Sequence, residues 1–203
     1  MSEAVYFQTI DKESFAEYKD RGSRFLAYAY PVSSADDCKA LLQRSRKEHP
    51  KAVHHCFAWR IGYDGNQFRQ SDDGEPSGTA GKPILGQIDS RQLTDVMIIV
   101  VRYFGGTLLG VPGLIQAYRS AAAMALQLIP VVQKPIEAYY HLQFDYTQVN
   151  DVMNIVKQYN CSIQSQEMQL FCLLTIGIPK ARMEEALYKF RQMHTLDIKK
   201  TDR

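Results

Sequence analysis

The residues TDVMIIVVRYFGGTLLGVPG, at positions 94–113, decide the fold of the first part of the chain. The apolar, β-branched run at their start predicts a central strand over 94–103 that is buried on both faces. A glycine-rich loop follows, and Pro112 then marks the first turn of a long, buried helix that reaches about Leu128. A buried strand that leads through glycines into a buried helix indicates a layered domain of helices on a sheet.

The segments before this stretch predict more strands and two more helices. Ser33 or Ser34 can cap an amphipathic helix, and a second glycine-rich loop, DDGEPSGTAGKP at 72–83, precedes a short helix. A turn at 64–66 indicates a hairpin. Four strands are predicted, at 5–10, 24–32, 54–62 and 67–71.

The last third of the chain has a different pattern. Apolar spacing there predicts the order β-α-β-β-α-β with short connections, which is typical of a ferredoxin-like layer of helices on an antiparallel sheet. Residues 130–135 are interpreted as a linker. We therefore predict two domains, one over 1–132 and one over 133–203.

Composition argues against a disordered or fibrous protein, and the net charge argues against extended, nonspecific binding of nucleic acid. The chain has 203 residues, of which 45% are hydrophobic and 23% are charged, as in ordinary globular proteins. Its 24 basic and 22 acidic residues give a net charge of +2, so a nucleic-acid partner would have to contact a local basic patch. The longest aliphatic run, at 96–101, is too short to cross a bilayer, and the first residues do not predict a leader. We expect a cytoplasmic protein with no membrane partner.

The four cysteines do not predict a metal site. They form no CxxC pair and have no histidine at the spacing of a zinc ligand. Each has apolar neighbours, so we expect reduced cysteines in the core and neither a metal nor a cofactor. The four are Cys38, Cys56, Cys161 and Cys172.

The two glycine-rich loops are the main candidates for a ligand site. Each precedes a helix, where free N–H groups and flexible glycines favour the approach of an anion. The alternative is that the glycines only shape the chain. Gly105 and Gly110 have the spacing of a nucleotide-binding P-loop, but Val111 and Pro112 replace its lysine and hydroxyl residue, so that motif is absent. The candidates are Gly78, Gly81 and Lys82 at the first loop and Arg102, Tyr103, Gly105, Gly106 and Arg119 around the second.

An acidic cluster and a histidine pair extend the candidate site. Asp72, Asp73 and Glu75 could bind a metal or transfer protons, but runs of this kind more often cap turns and helices. His54 and His55 are neighbours on a strand, so at most one of them reaches a given site. We retain His54 as a candidate, with a purely structural histidine as the alternative.

Three segments together resemble the signature of the IMPACT/YigZ family. They are HHCFAW at 54–59, SDDGEPSGTAGKP at 71–83 and VVRYFGGTLLG at 100–110, and the similarity covers about 20–130. The resemblance implies an α+β protein whose first domain is like domain 2 of ribosomal protein S5, with helices on one side of a mixed sheet. It implies a smaller second domain like the ferredoxin-like final domain of elongation factor G. Eukaryotic members of this family regulate translation.

Three functions are compatible with these observations. The leading hypothesis is a protein that binds RNA or the ribosome, in which Lys82, Arg102 and Arg119 contact phosphate and Tyr103 stacks on a base. The second is an enzyme that acts on an anionic or phosphorylated small molecule. Its weakness is that the sequence shows no nucleophile in an activating pattern. The third is a protein-binding module that uses the C-terminal sheet. We expect a binding protein more than an enzyme.

Overall fold

A computed structural model describes residues 4–201 of the chain. It is a mixed α/β protein with five helices and three sheets within these residues. The chain divides into two compact units. The first is Phe7–Lys134, and the second contains, among the described residues, 4–6 and 135–201.

A five-stranded sheet forms the centre of the first unit. Its strands are β2 (Ser14–Asp20), β3 (Ser23–Pro31), β4 (His54–Ile61), β5 (Gln67–Ser71) and β6 (Val96–Tyr103), in the order β2-β3-β6-β4-β5. The central strand β6 is buried on both faces, as predicted, and its side chains from 96 to 101 are at most 1% exposed. The predicted hairpin is also present, because β4 and β5 pair around the turn at 64–66.

Two short segments differ from the prediction. Strand β2 was missed because its sequence, SFAEYKD, is mostly polar, and only Ala16 is buried in it. The expected linker at 130–135 contains strand β7 (Val132–Pro135), which pairs with β1 (Tyr6–Thr9). Pairing with a distant strand is not visible in the local sequence, so the strand was missed, although the division between the two units does fall within 130–135.

Three helices cover the two faces of the five-stranded sheet. Helix α1 (Ala35–Glu48) begins after Ser34, whose hydroxyl accepts a 3.1 Å hydrogen bond from the amide of Asp37. The carboxyl of Asp37 in turn accepts from the Ser34 amide, which completes a capping box. Helices α2 (Gly81–Ser90) and α3 (Gly110–Gln127) pack together on the opposite face.

The sheet corrects one implication of the family resemblance. Every strand pair in it is antiparallel, so the sheet is not mixed, and its helices do not lie on one side only. The physical reason is visible in β6, where Ile98 packs toward α2 and α3 while Met97 and Ile99 pack toward α1. A strand that is apolar on both faces requires a cover on both.

The second unit has the predicted β-α-β-β-α-β order. Its elements are β8 (Glu137–Asp145), α4 (Val149–Gln158), β9 (Ser162–Met168), β10 (Phe171–Pro179), α5 (Met183–Arg191) and β11 (Asp197–Thr201). The strands form an antiparallel sheet in the order β11-β8-β10-β9. Phe144, Leu174 and Phe190 lie in the core between this sheet and its two helices.

The cysteines are free thiols, as expected. Cys38, Cys56 and Cys172 are buried, whereas Cys161 is partly exposed. Over residues 4–201, no helix combines the length and the apolar character that crossing a membrane requires.

Candidate functional site

The first glycine-rich loop folds around the side chain of Asp72. One carboxylate oxygen accepts hydrogen bonds from the amides of Ala80 (2.9 Å) and Gly81 (2.8 Å), and the other accepts from the amide of Gly78 (2.9 Å). Partial burial raises the pKa of this carboxyl, but the three N–H donors together bring the pKa below its usual value. The amides expected to bind an external anion therefore bind a carboxylate of the same chain.

Asp73 and His54 hold the loop against the sheet. The Asp73 carboxylate accepts from the guanidinium of Arg46 and from the backbone amide of His55, each at 2.7 Å. The Nδ1–H of His54 donates to the carbonyl oxygen of Asp73 at 2.8 Å. These bonds stabilise Asp73 in a left-handed conformation with φ of 40°. The side chain of Asp73 thus has structural partners on α1 and β4, and His54 has one in the loop.

Glu75 and Arg102 form a buried ion pair between the two glycine-rich loops. A guanidinium nitrogen of Arg102 lies 2.7 Å from Oε1 of Glu75, and their side chains are only 7% and 3% exposed. Oε1 also accepts a 2.7 Å hydrogen bond from the hydroxyl of Tyr118 on α3. The rings of Phe25 and Phe104 each lie 5.5 Å from the guanidinium carbon. Arg102 was expected to contact phosphate, but its charge is instead neutralised in the core.

Two groups near this ion pair, the phenol of Tyr118 and the thiol of Cys56, are held in their neutral forms. Burial is the main cause that raises the pKa of the Tyr118 phenol far above its usual value, and it raises the pKa of the Cys56 thiol to about 12. The Cys56 sulfur lies 3.3 Å from the Tyr118 hydroxyl and 3.0 Å from the carbonyl oxygen of Asp72. This cluster joins β4, both loops and α3, and it serves the architecture of the unit.

The second glycine-rich loop is held by a close backbone contact. The amide of Gly105 donates to Oγ of Ser23 at 3.1 Å, and a Cβ at Gly105 would lie 1.9 Å from the carbonyl carbon of Gly22. Gly106 has φ of +90°, and a Cβ added there would have no heavy atom within 4 Å. Gly105 is therefore required for packing, while Gly106 lies in open space.

Tyr103 faces away from Arg102, on the side of the sheet that α1 covers. Its hydroxyl lies 3.1 Å from Nδ1 of His49, and Nε2 of the same ring lies 2.9 Å from the hydroxyl of Tyr28. Neighbouring side chains of a strand point to opposite faces, so Tyr103 cannot share a site with Arg102. Arg102 was expected to contact phosphate and Tyr103 to stack on a base, and the structure places them on opposite faces of the sheet.

An open groove of about 870 Å³ lies between α2 and α3 and contains three of the candidate residues. Lys82 at the start of α2, Arg119 on α3 and Gly78 of the first loop line it. The other lining residues are Gln70, Pro83, Leu85, Gly86, Gln87, Asp89 and Ile115. This groove, called the α2–α3 groove below, is the place where the structure brings predicted basic residues together.

The two cations of the α2–α3 groove are available to a ligand. Lys82 and Arg119 are exposed, and neither forms an ion pair or hydrogen bond with another residue in the described part of the chain. Asp89, which also lines the groove, is paired with Arg60 at 2.7 Å. The groove therefore has unpaired positive charge, and it suits an anion.

Within residues 4–201, no group of three or more histidine, cysteine, aspartate or glutamate side chains is arranged to hold a metal ion. The three acidic candidates explain why. Asp72 binds the loop amides, Asp73 binds Arg46, and Glu75 binds Arg102.

Comparison with known proteins identifies the family. The family model described as "Impact N-terminal domain" matches residues 21–126, which include α1, α2 and both glycine-rich loops. The chain belongs to the IMPACT family. The match ends within α3, so all residues of the α2–α3 groove lie in the IMPACT domain.

Two bacterial relatives are similar to this chain over most of their length. The IMPACT family member YigZ of Escherichia coli (strain K12) is 38% identical over 165 residues, which is 80% of this chain and 81% of that protein. An IMPACT family member of Haemophilus influenzae is 38% identical over 170 residues, or 83% of this chain and 82% of that protein. A solved structure described as a hypothetical protein superposes with a TM-score of 0.77 at 31% identity, covering 98% of this chain and 99% of that one.

Sequence reasoning missed part of the groove and most of the buried cluster. Gly86 follows Lys82 by four residues, and this helical spacing was a usable signal for a shared face of α2. Gln70 and Tyr118 gave no such signal, because they reach their partners only through the packing of β5 and α3.

Proposed function

We propose that this IMPACT family protein binds RNA, free or within the ribosome, through the α2–α3 groove, and that it acts in the regulation of translation in the cytoplasm. The observation that carries the proposal is the pair of exposed, unpaired cations, Lys82 and Arg119, in one groove. Phosphate groups are the natural counter-charges for such a pair. The role in translation is the one that the family resemblance led us to expect.

The amount of charge in the groove fits the neutral balance of the chain. A net charge of +2 does not support extended, nonspecific binding of phosphate backbone. Two cations in a groove instead predict a small number of phosphate contacts and moderate dependence on salt. Arg102, one of the expected contacts, takes no part because it is buried with Glu75.

The salt dependence of RNA binding tests the proposal. The affinity of the full chain for a short fluorescent RNA is measured by anisotropy over a series of salt concentrations. The slope of log affinity against log salt is negative, and the double variant Lys82→Gln/Arg119→Gln should reduce its magnitude by about 1.4, because each lost phosphate contact accounts for about 0.7. The matched control is Lys39→Gln/Lys47→Gln on α1, which removes the same charge from the opposite face of the sheet. An equal change in slope for both pairs would contradict the proposal.

A variant that fills the groove gives a second test without changing any charge. A Cβ at Gly86 would meet no heavy atom within 4 Å, so Gly86→Leu can place a side chain in the groove without a clash at the backbone. RNA affinity should fall while the thermal midpoint stays at or above that of the wild type. Unchanged affinity in a folded Gly86→Leu variant would exclude this groove as the binding site.

A protein partner on the second unit is a separate proposal, favoured by exposed apolar side chains. Phe171 and Leu173 lie on the face of the sheet without helices, and they are 60% and 47% exposed. Leu173→Lys should then abolish binding to such a partner and leave RNA affinity unchanged. Loss of RNA affinity in this variant would indicate that the sheet of the second unit binds RNA instead of a protein. No comparable observation favours the enzyme, because Asp72, Asp73 and Glu75 each bind a different internal partner.

A further inference from the structure

The α2–α3 groove has an exposed aromatic ring beside it, on the edge strand β5. Phe68 and Gln70 are two residues apart, so their side chains lie on the same face of the strand, about 7 Å from each other. Gln70 lines the groove, and Phe68 is therefore the next side chain beyond it. Phe68 is 54% exposed, and large apolar side chains on edge strands are normally covered or replaced by charged ones.

Arg60 fixes this ring next to the groove. Its guanidinium carbon lies 4.9 Å from the centre of the Phe68 ring, and two of its nitrogens donate to one oxygen of Asp89 at 3.0 and 2.7 Å. Asp89 itself lines the groove. One side of the Phe68 ring is thus supported by a cation that is tied to α2, and the exposed part of the ring remains free to stack.

The groove joins the aromatic end to the cationic end along one side of α2. Lys82, Gly86 and Asp89 follow the spacing i, i+4, i+7, so they lie on one face of the helix and span about 10 Å. Gly86 leaves the middle of the groove open. The side-chain amides of Gln70 and Gln87 supply both donors and acceptors between the two ends.

We infer that the α2–α3 groove binds single-stranded RNA, with one base stacked on Phe68 and the neighbouring backbone in contact with Lys82 and Arg119. A platform for one ring and a short cationic groove are the two elements that proteins use to bind single strands. A duplex keeps its bases stacked on each other and offers none to Phe68. This inference rests on the proposed function and specifies which form of RNA the groove takes.

The experiment compares two RNAs and two Phe68 variants by anisotropy, with the full chain. The probes are a labelled oligouridylate and an RNA duplex of the same length. The oligouridylate should bind more tightly than the duplex. Phe68→Ala should weaken the binding of the oligouridylate about tenfold or more, with an unchanged salt slope because no charge is lost. Phe68→Trp should retain the affinity, since it retains a ring.

A matched control lies at the other end of the same sheet. Phe15 is 48% exposed on β2, the opposite edge strand, and Phe15→Ala should leave RNA binding unchanged. Equal binding of the duplex, together with no effect of Phe68→Ala, would overturn the inference. The proposed function would still stand in that case if the Lys82→Gln/Arg119→Gln variant reduced the magnitude of the slope of log affinity against log salt. Absence of salt-dependent RNA binding by the wild type would overturn both.

Discussion

The two glycine-rich loops look alike in sequence but use their glycines for different purposes. In the first, the amides of Gly78 and Gly81 converge on the carboxylate of Asp72. In the second, Gly105 allows the backbone to lie against Gly22, and its amide bonds to Ser23. Glycine before a helix therefore indicates either a nest for a negative charge or a close backbone contact, and only the partner residue distinguishes them.

The basic residues near these loops also fall into two kinds, one buried with a partner and two exposed without one. Arg102 is enclosed with Glu75 and between two aromatic rings, whereas Lys82 and Arg119 are exposed in the α2–α3 groove. Removal of one partner of a buried ion pair leaves the other charge uncompensated and destabilises the protein, whereas an exposed charge without a partner is available for binding. Substitution of the buried Arg102 should therefore affect stability far more than substitution of the exposed Lys82 or Arg119.

The largest expected effect is on the buried ion pair. Arg102→Ala leaves the Glu75 carboxylate buried without its cation, so we expect the free energy of unfolding to fall by about 3–5 kcal/mol. Lys82→Ala, on the exposed side of the comparison, should change it by no more than about 0.5 kcal/mol. Urea denaturation followed by circular dichroism measures both. A similar loss of unfolding free energy in the two variants would show that Arg102 and Lys82 do not differ as described.

The second prediction concerns the two adjacent glycines of the second loop. Gly105→Ala should destabilise the protein by about 3 kcal/mol, because its Cβ would overlap the backbone at Gly22. Gly106→Ala introduces no overlap, and only its positive φ is unfavourable, so its cost should be about 1–2 kcal/mol. The same denaturation experiment compares them. A larger effect at Gly106 would mean that backbone conformation, and not packing, requires glycine in this loop.

The third prediction tests the nest of the first loop through pH. Asp72→Ala leaves three amides without their acceptor and should lower the unfolding free energy by about 2 kcal/mol at neutral pH. The folded-state pKa of Asp72 is lowered, so its contribution is fully present above its unfolded pKa of about 3.9 and is lost as the pH falls through the folded value. The difference between variant and wild type should narrow in acid. A difference that stays constant with pH would show that the carboxylate charge is not what the amides bind.

The last prediction is a small gain in stability. Gly86→Ala lies inside α2, has room for a methyl group, and should stabilise the protein by about 0.5–1 kcal/mol. Thermal unfolding measures the shift. The methyl group is too small to close the α2–α3 groove, so RNA affinity should remain. A decrease in the thermal midpoint would show that the groove floor is tighter than the structure indicates.

Most of the fold was predictable because its signals are local. The apolar run of β6, the Ser34 cap of α1 and the hairpin at 64–66 each depend on residues that are close in sequence. Strand β7 was not predictable, because it forms only by pairing with β1. The prediction of a mixed sheet with helices on one side came from the family resemblance, and the apolar faces of β6 already argued against a cover on one side only.

The candidate site was predictable as a region but not as a set of partners. The sequence indicated Lys82 and Arg119 as basic residues near glycines, and the structure places both in one groove. It could not show that Arg102 and Tyr103, adjacent in the chain, point to opposite faces with different partners. The sequence also could not show a hydrogen bond between α3 and the first loop. The hydroxyl of Tyr118 on α3 donates to Glu75 of that loop.

The enclosure of β6 has a consequence for its backbone amides. They are hydrogen-bonded to β3 on one side and β4 on the other, under side chains that solvent does not reach. Deuterium can enter such a strand only when the whole first unit opens, so the slowest exchange rates at 97–100 report the global free energy of unfolding. The exposed residues that follow at 106–108 should exchange far sooner, and one short stretch of chain would then contain both strongly and weakly protected amides.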